Sequence, residues 1–212
     1  MKIGIIGSGS VAQVLGSGFL SKGHEVMLGT RDASKLAAWL TEAGAKAKVG
    51  TFEEAATFGE FVFLSVPGTA LESVIEIAGT ENLAGKIVID ITNPMDFSQG
   101  VPPRFTATVG NSLGEKVQRL LPRSKVVKAF NSIGVAVMTD PDFNGEKATH
   151  FIAGESDEAK AEATELISEF GWEVVDVGGI EQAFFLEALA SLWVNHAFKS
   201  NNWNQAFKLL SR

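Results

Sequence analysis

The six residues Gly7-Ser8-Gly9-Ser10-Val11-Ala12 constrain this chain more than any other feature. They read G-x-G-x-x-A and lie between the apolar run Lys2-Ile3-Gly4-Ile5-Ile6 and a segment of helical period, Val11 to Lys22. A glycine turn that closes a strand and opens a helix is the setting in which this pattern binds a dinucleotide. Gly7 permits the tight turn, and Gly9 lacks the Cβ that would block a pyrophosphate. Ala12, with Gly16 one turn on, lets the helix lie close on a sheet. A pyrophosphate would then meet the free N–H groups and the positive dipole end of that helix. The plainer reading, a glycine-rich turn with no ligand, stays open at this point.

Short β-branched runs alternate with helix-period segments along the rest of the chain. Strands are expected at Lys2 to Ile6, Glu25 to Gly29, Ala47 to Val49, Phe61 to Val66, Lys86 to Ile91 and Val126 to Phe130. Helices are expected at Val11 to Lys22, Ala33 to Ala43, Phe52 to Thr57, Leu71 to Ala78 and Leu113 to Leu121. Several strands are apolar at consecutive positions, as parallel strands covered on both faces are. The order predicts an α/β, Rossmann-like doubly wound parallel sheet over residues 1–145. The stretch Asn93 to Gly110, with Pro94, Gly100, Pro102 and Pro103, fits neither period and reads as a long loop. Residues 146–212 read as a small α/β tail: strands at Ala148 to Ala153 and Trp172 to Val177, a helix capped by Ser156, and a long helix from about Glu181 to Lys208.

The end of the second strand bears on which dinucleotide is bound. An NAD enzyme usually places Asp or Glu about 20 residues past the glycines, on the ribose diol. This strand ends Met27-Leu28-Gly29-Thr30-Arg31, with Lys35 one turn later. The guanidinium of Arg31 suits a phosphate, the Thr30 hydroxyl can donate to it, and together with Lys35 they suggest a 2′-phosphate pocket, hence NADP(H). The other reading is a solvated Arg31-Asp32 pair in which Asp32 is a helix cap or ribose ligand.

Composition removes several chemistries. The 212 residues contain no Cys and no Tyr, so thiolate sites, disulfides and a phenolic acid are excluded. With 25 acidic against 18 basic residues and a formal charge of −7, the chain is not expected to bind nucleic acid or an anionic membrane. A short N-terminus leading straight into the strand, and no apolar run near the ~20 residues of a bilayer span, make a cytoplasmic protein with no membrane segment the expectation. His24, His150 and His196 have no partner at ligand spacing, so no metal is expected. Asp90 and Asp96 read as turn residues. In the last helix Leu186, Leu189, Ala190, Trp193, Val194 and Ala197 form a stripe for the core. Phe185, Ala188 and Leu192 form a second stripe, either more core or a subunit contact, and Glu187, Ser191 and Asn195 mark a polar line.

These motifs, with Ser65-Val66-Pro67, Asp90-Ile91-Thr92-Asn93-Pro94 and Val126-Val127-Lys128-Ala129-Phe130-Asn131, resemble the NADP oxidoreductases that use the 8-hydroxy-5-deazaflavin coenzyme (factor 420). The stretch Gly154 to Lys160 is similar to that family's entry into its tail helix. The soluble domain of the six-transmembrane metalloreductases, which passes hydride from NADPH to flavin, is similar in the same places. The resemblance implies that Ser8, Ser10, Val11, Thr30, Arg31 and Lys35 hold the adenosine half of NADP. It also puts Val66 and Pro67 at the nicotinamide ribose, and Asn93, Ala129 and Asn131 around the nicotinamide. Asn131 and Gly134 stand where an archaeal deazaflavin enzyme tends to show His and Pro. A homodimer is a further implication.

The expected function is hydride transfer between NADPH and a flavin or deazaflavin, a small-molecule redox acceptor. Such a transfer between stacked rings asks for closeness more than for an acid or base. Two alternatives remain: an NADPH-dependent imine or carbonyl reductase similar to pyrroline-5-carboxylate reductase, and a non-catalytic NADP(H) sensor.

Overall fold

The computed structural model describes residues 1–212. Strand β1 (Lys2–Ile6) leads into α1 (Ser10–Ser21), β2 (Glu25–Gly29), α2 (Ala37–Ala43), β3 (Ala47–Gly50), α3 (Phe52–Phe58) and β4 (Phe61–Leu64). The second half of the sheet is built by α4 (Leu71–Ala78), α5 (Thr80–Leu83) and β5 (Ile87–Asp90). A short ribbon of β6 (Met95–Asp96) and β7 (Arg104–Phe105) precedes α6 (Leu113–Leu120) and β8 (Lys125–Lys128). A hairpin of β9 (Asp142–Phe143) and β10 (Glu146–Lys147) leads to β11 (Thr149–Gly154), α7 (Asp157–Ser168), β12 (Glu173–Asp176) and α8 (Ala183–Ser200).

One eight-stranded sheet carries the molecule, in the order β12-β11-β8-β5-β4-β1-β2-β3. Every pairing is parallel except β11 against β8. The tail strands therefore extend the Rossmann-like sheet. The exception has a local cause. Asn144 and Gly145 both take positive φ, 59° and 85°, which is the two-residue hairpin turn that Asn-Gly favours. The reversal brings β11 back antiparallel, with Ala153 opposite Lys128.

Side-chain alternation sorts the strands onto two cores. Ile3 and Ile5, Phe61 and Phe63, Ile87 and Ile89, and Val127 face one core, under α1, α2 and α7. Ile6, Val62, Leu64, Val88 and Val126 face the other, under α3, α4 and α6. The same alternation turns Asp90 and Lys128, register partners across β5 and β8, onto this second face.

Three expectations change. The segment Ala33 to Ala43 is a 3₁₀ turn (Ala33–Leu36) followed by α2, because Asp32 caps the turn through Ser34. The loop after Asn93 contains the β6–β7 ribbon. The last helix stops at Ser200, eight residues early, where Asn201 takes a left-handed conformation (φ 52°). The chain then folds back: Phe207 and Leu209 bond through their backbone to Thr149, and Gln205 bonds to Trp193.

Candidate functional site: a crevice at the strand ends

The glycine turn is held on both sides. Gly7 (φ 147°) donates to the Gly29 carbonyl at 3.0 Å, and a Cβ on it would lie 2.0 Å from the Ser65 carbonyl oxygen. Only glycine fits there. A Cβ on Gly9 would meet nothing within 4 Å, so the space before the first turn of α1 is open. Gly9 is the N-cap of α1 without a side-chain cap, and the first turn carries no acidic residue. The leading N–H groups are thus left for an anion. Ala12 is fully buried, and Gly16 packs against Trp39 and Leu28.

Gly29 has a packing reason. A Cβ there would lie 2.9 Å from Ala55 Cβ and 3.0 Å from the Thr51 oxygen, so close approach of α3 already demands glycine. Beyond it Thr30 is buried, and its hydroxyl accepts the Asp32 N–H at 3.1 Å. Asp32 is committed to capping: it accepts the Ser34 N–H at 3.1 Å and the Ser34 hydroxyl at 2.6 Å. These bonds, the hydroxyl first, hold its carboxyl below the ordinary carboxylate value, with a smaller contribution from Lys35. Arg31 and Lys35 are exposed and stand in no ion pair. The solvated Arg31-Asp32 pair therefore does not form, while the capping role of Asp32 does.

A cleft of about 200 Å³ opens beside the turn, lined by Gly9, Ser10, Val11, Ser65, Val66, Pro67 and Ile91. Val66, Pro67 and Ile91 continue into a larger one of about 560 Å³. Its far walls are Thr92 and Asn93, the β6 residues Met95 and Asp96, Phe97, and Val194 of α8. The two clefts form one crevice at the carboxyl ends of β1, β4 and β5, the usual ligand position in such sheets. A separate cavity of about 330 Å³, between α8 and the returning C-terminal segment, contains none of the predicted site residues.

Gly7, Ser8, Ala12, Thr30, Arg31 and Lys35 flank the crevice without lining it, and of the three residues expected around the nicotinamide only Asn93 reaches its wall. Ala129 is fully buried and offers only its backbone, which donates to the Asp90 carbonyl. Asn131 is 6% exposed and lies behind Asn93. Its Nδ2 donates to Asn93 Oδ1 at 3.1 Å and to the Leu186 carbonyl at 2.8 Å, while Asn93 Nδ2 donates back to the Asn131 carbonyl at 2.7 Å. Asn131 Oδ1 is buried without a donor. The segment turns at Phe130, which takes φ 59°.

The single carboxylate of the crevice, Asp96, accepts the Ser98 N–H at 2.8 Å and the Ser98 hydroxyl at 2.9 Å. The backbone bond, then the hydroxyl, hold it below its ordinary value. At neutral pH it is an acceptor, not a proton donor.

Sequence reasoning missed a buried ionic cluster beneath the crevice. Lys128, Asp90 and Glu187 are each 0% exposed. Lys128 Nζ donates to Asp90 Oδ2 at 2.8 Å and the Thr92 carbonyl at 2.6 Å, and pairs with Glu187 Oε1 at 2.8 Å. Glu187 was expected on a polar line with Ser191 and Asn195, and Asp90 in an ordinary turn role. A signal existed in the sequence: Asp and Lys end two apolar strands that are buried on both faces, and such charges must be paired.

Comparison with known proteins agrees with this geometry. Residues 2–94 match the family model described as NADP oxidoreductase, coenzyme F420-dependent. An F420-dependent NADP reductase of Methanocaldococcus jannaschii is 32% identical over 214 residues, covering 94% of this chain and 95% of that one. The metalloreductase STEAP3 of Rattus norvegicus is 30% identical over 188 residues, 89% of this chain but 36% of that protein, so the chain spans about a third of that relative. A crystal structure from Arthrobacter sp. FB24, assigned as an F420-dependent NADP-reductase, superposes with a TM-score of 0.94 at 35% identity, covering 100% of both chains. An open glycine turn, a crevice at the strand ends and likeness along the whole chain lead to one assignment: the protein belongs to the coenzyme F420-dependent NADP oxidoreductase family.

Proposed function

We propose that the protein binds NADP(H) along this crevice and exchanges hydride between its nicotinamide and a planar deazaflavin or flavin. The observation that carries the reading is the crevice itself, which runs from the glycine turn past Val66 and Pro67 into a space of about 560 Å³ that holds no proton donor at neutral pH. NADPH supplies the hydride when bound, and a conjugated tricyclic acceptor takes it up together with one proton from water.

The chain's own residues orient and bind. The N–H groups at the start of α1 would face the pyrophosphate, and Gly7, Ser8, Gly9, Ser10, Val11 and Ala12 shape that seat. Thr30, Arg31 and Lys35 would hold the 2′-phosphate, since Asp32 caps the turn through Ser34 and neither Arg31 nor Lys35 stands in an ion pair. Ser65, Val66 and Pro67 would border the ribose. Asn93, backed by Asn131, would fix the nicotinamide. Residues 146–212 close the acceptor side through Val194. Phe185 and Leu192, 59% and 60% exposed and two turns apart on α8, support a homodimer contact along that stripe.

No helix is long and apolar enough to cross a membrane, and the reading needs none. Spectrophotometric NADPH oxidation tests it. Coenzyme F420 or free flavin should be reduced, with little turnover of keto acids or cyclic imines. Robust imine turnover without any flavin or deazaflavin activity overturns the proposal.

A further inference from the structure

The buried charges beneath the crevice have a geometry that apolar packing would not need. An ammonium has three donors, and Lys128 directs them at Asp90, at the Thr92 carbonyl and at Glu187. Burial opposes the charge, but the carboxylates of Asp90 and Glu187 outweigh it and hold Lys128 above its ordinary value. Asp90 uses its other oxygen on the Thr92 N–H (2.9 Å) and hydroxyl (2.7 Å). Glu187 accepts the Gly114 N–H at 3.0 Å and the Leu113 N–H at 3.1 Å, at the N-terminus of α6. A carboxylate is well placed there, facing unpaired N–H groups and the dipole.

The Lys128–Asp90 bond joins β8 to β5, and the other bonds of the cluster reach Thr92, α6 or α8. Thr92 and Asn93 line one wall of the crevice, and Val194, seven residues beyond Glu187, lines another. The neighbour of Glu187, Leu186, receives Asn131 through its carbonyl, and Asn131 holds Asn93. Two adjacent residues of α8 thus tie to the Thr92-Asn93 loop at neighbouring points, Leu186 through Asn131 to Asn93 and Glu187 through Lys128 to Thr92. A buried ion pair is weak evidence for stability, because apolar residues of the same volume often serve as well. Directional bonds onto one loop serve placement.

We infer that Glu187 and Lys128 are positioning residues, which set the nicotinamide end of the crevice by locking the Thr92-Asn93 loop to helix α8. The inference rests on the proposed nicotinamide site, and the test has a readout that does not require turnover.

Glu187→Gln keeps the volume but removes one charge, and Asp90→Asn does the same from the strand side. In each variant 2′,5′-ADP, which occupies only the adenosine half, should bind within about twofold of the parent. The turnover number for NADPH oxidation should fall by about ten- to a hundred-fold, the loss a small misplacement causes. The fluorescence gain of NADPH on binding, which reports the nicotinamide's surroundings, should fall with it. Parental turnover and parental NADPH fluorescence in a folded variant overturn the inference. So does an equal loss of 2′,5′-ADP affinity and turnover, or failure of both variants to fold, since either marks general support of the fold. If the parent oxidises NADPH with no flavin or deazaflavin, the functional reading fails, and the fluorescence comparison still decides the positioning role.

Discussion

Mild acid should destabilise this protein through one imidazole, that of His150. The residue lies on β11, 1% exposed, and its Nε2 accepts the Phe130 N–H at 2.9 Å. The ring proton therefore sits on Nδ1, which has no partner. The ring packs edge-on against Phe130 (4.5 Å) and Trp172 (5.4 Å), with no carboxylate beside it. Burial pushes its pKa from the ordinary 6.5 down to about 3. A depressed histidine adds stability above the unfolded value of 6.5, and that stability is lost as pH falls toward the folded value. Over pH 7 to 5 the unfolded chain takes up a proton that the folded chain refuses, which costs about 2 kcal/mol. Urea unfolding at the two pH values, on the parent and on His150→Gln, measures it. Glutamine can still accept the Phe130 N–H but does not titrate. Other groups contribute equally to both proteins, so the parent should lose about 2 kcal/mol more than the variant. Equal losses would refute the reasoning.

Three further outcomes are expected. Arg31→Ala should weaken NADPH binding by about ten- to a hundred-fold, the loss of charge-assisted bonds to a phosphate, while NADH binding measured by fluorescence titration barely changes. Equal losses for both would assign Arg31 to the adenine or the fold. Light scattering should find the parent a dimer at micromolar concentration and Leu192→Glu a folded monomer, because a carboxylate buried unpaired in an apolar contact is costly; a monomeric parent removes the dimer. Asn131→Leu breaks the link between Asn93 and α8 and should slow hydride transfer while NADPH still binds; unchanged turnover would show that Asn93 holds its place without it.

The parts of the fold that were legible in the sequence are those where neighbours in sequence carry the signal. β1, the glycine turn and α1 form one continuous local unit, and strands buried on both faces leave apolar runs that need no partner to be recognised. The direction of β11 depended on a two-residue turn at Asn144-Gly145, read only as a boundary. The end of α8 depended on Asn201 entering the left-handed region, a weaker stop than Gly or Pro. Helical period placed Glu187 beside Ser191 and Asn195, yet what decides its surroundings is α6 and Lys128, more than 50 residues away in sequence. Asn131 bonds to Asn93, but its inward turn follows from the Leu186 carbonyl, which no local pattern reveals.

The central claim is direct hydride exchange between the nicotinamide and a stacked acceptor, and isotope transfer tests it most directly. NADPH carrying deuterium on the transferred face of nicotinamide C4 is incubated with the protein and coenzyme F420, whose accepting atom is carbon and so retains the label. Mass spectrometry of the recovered reduced acceptor should then show one deuterium per molecule, with a primary isotope effect on the rate under single-turnover conditions. Reduced acceptor without the label, or no reduction alongside active turnover of a cyclic imine, would contradict the account.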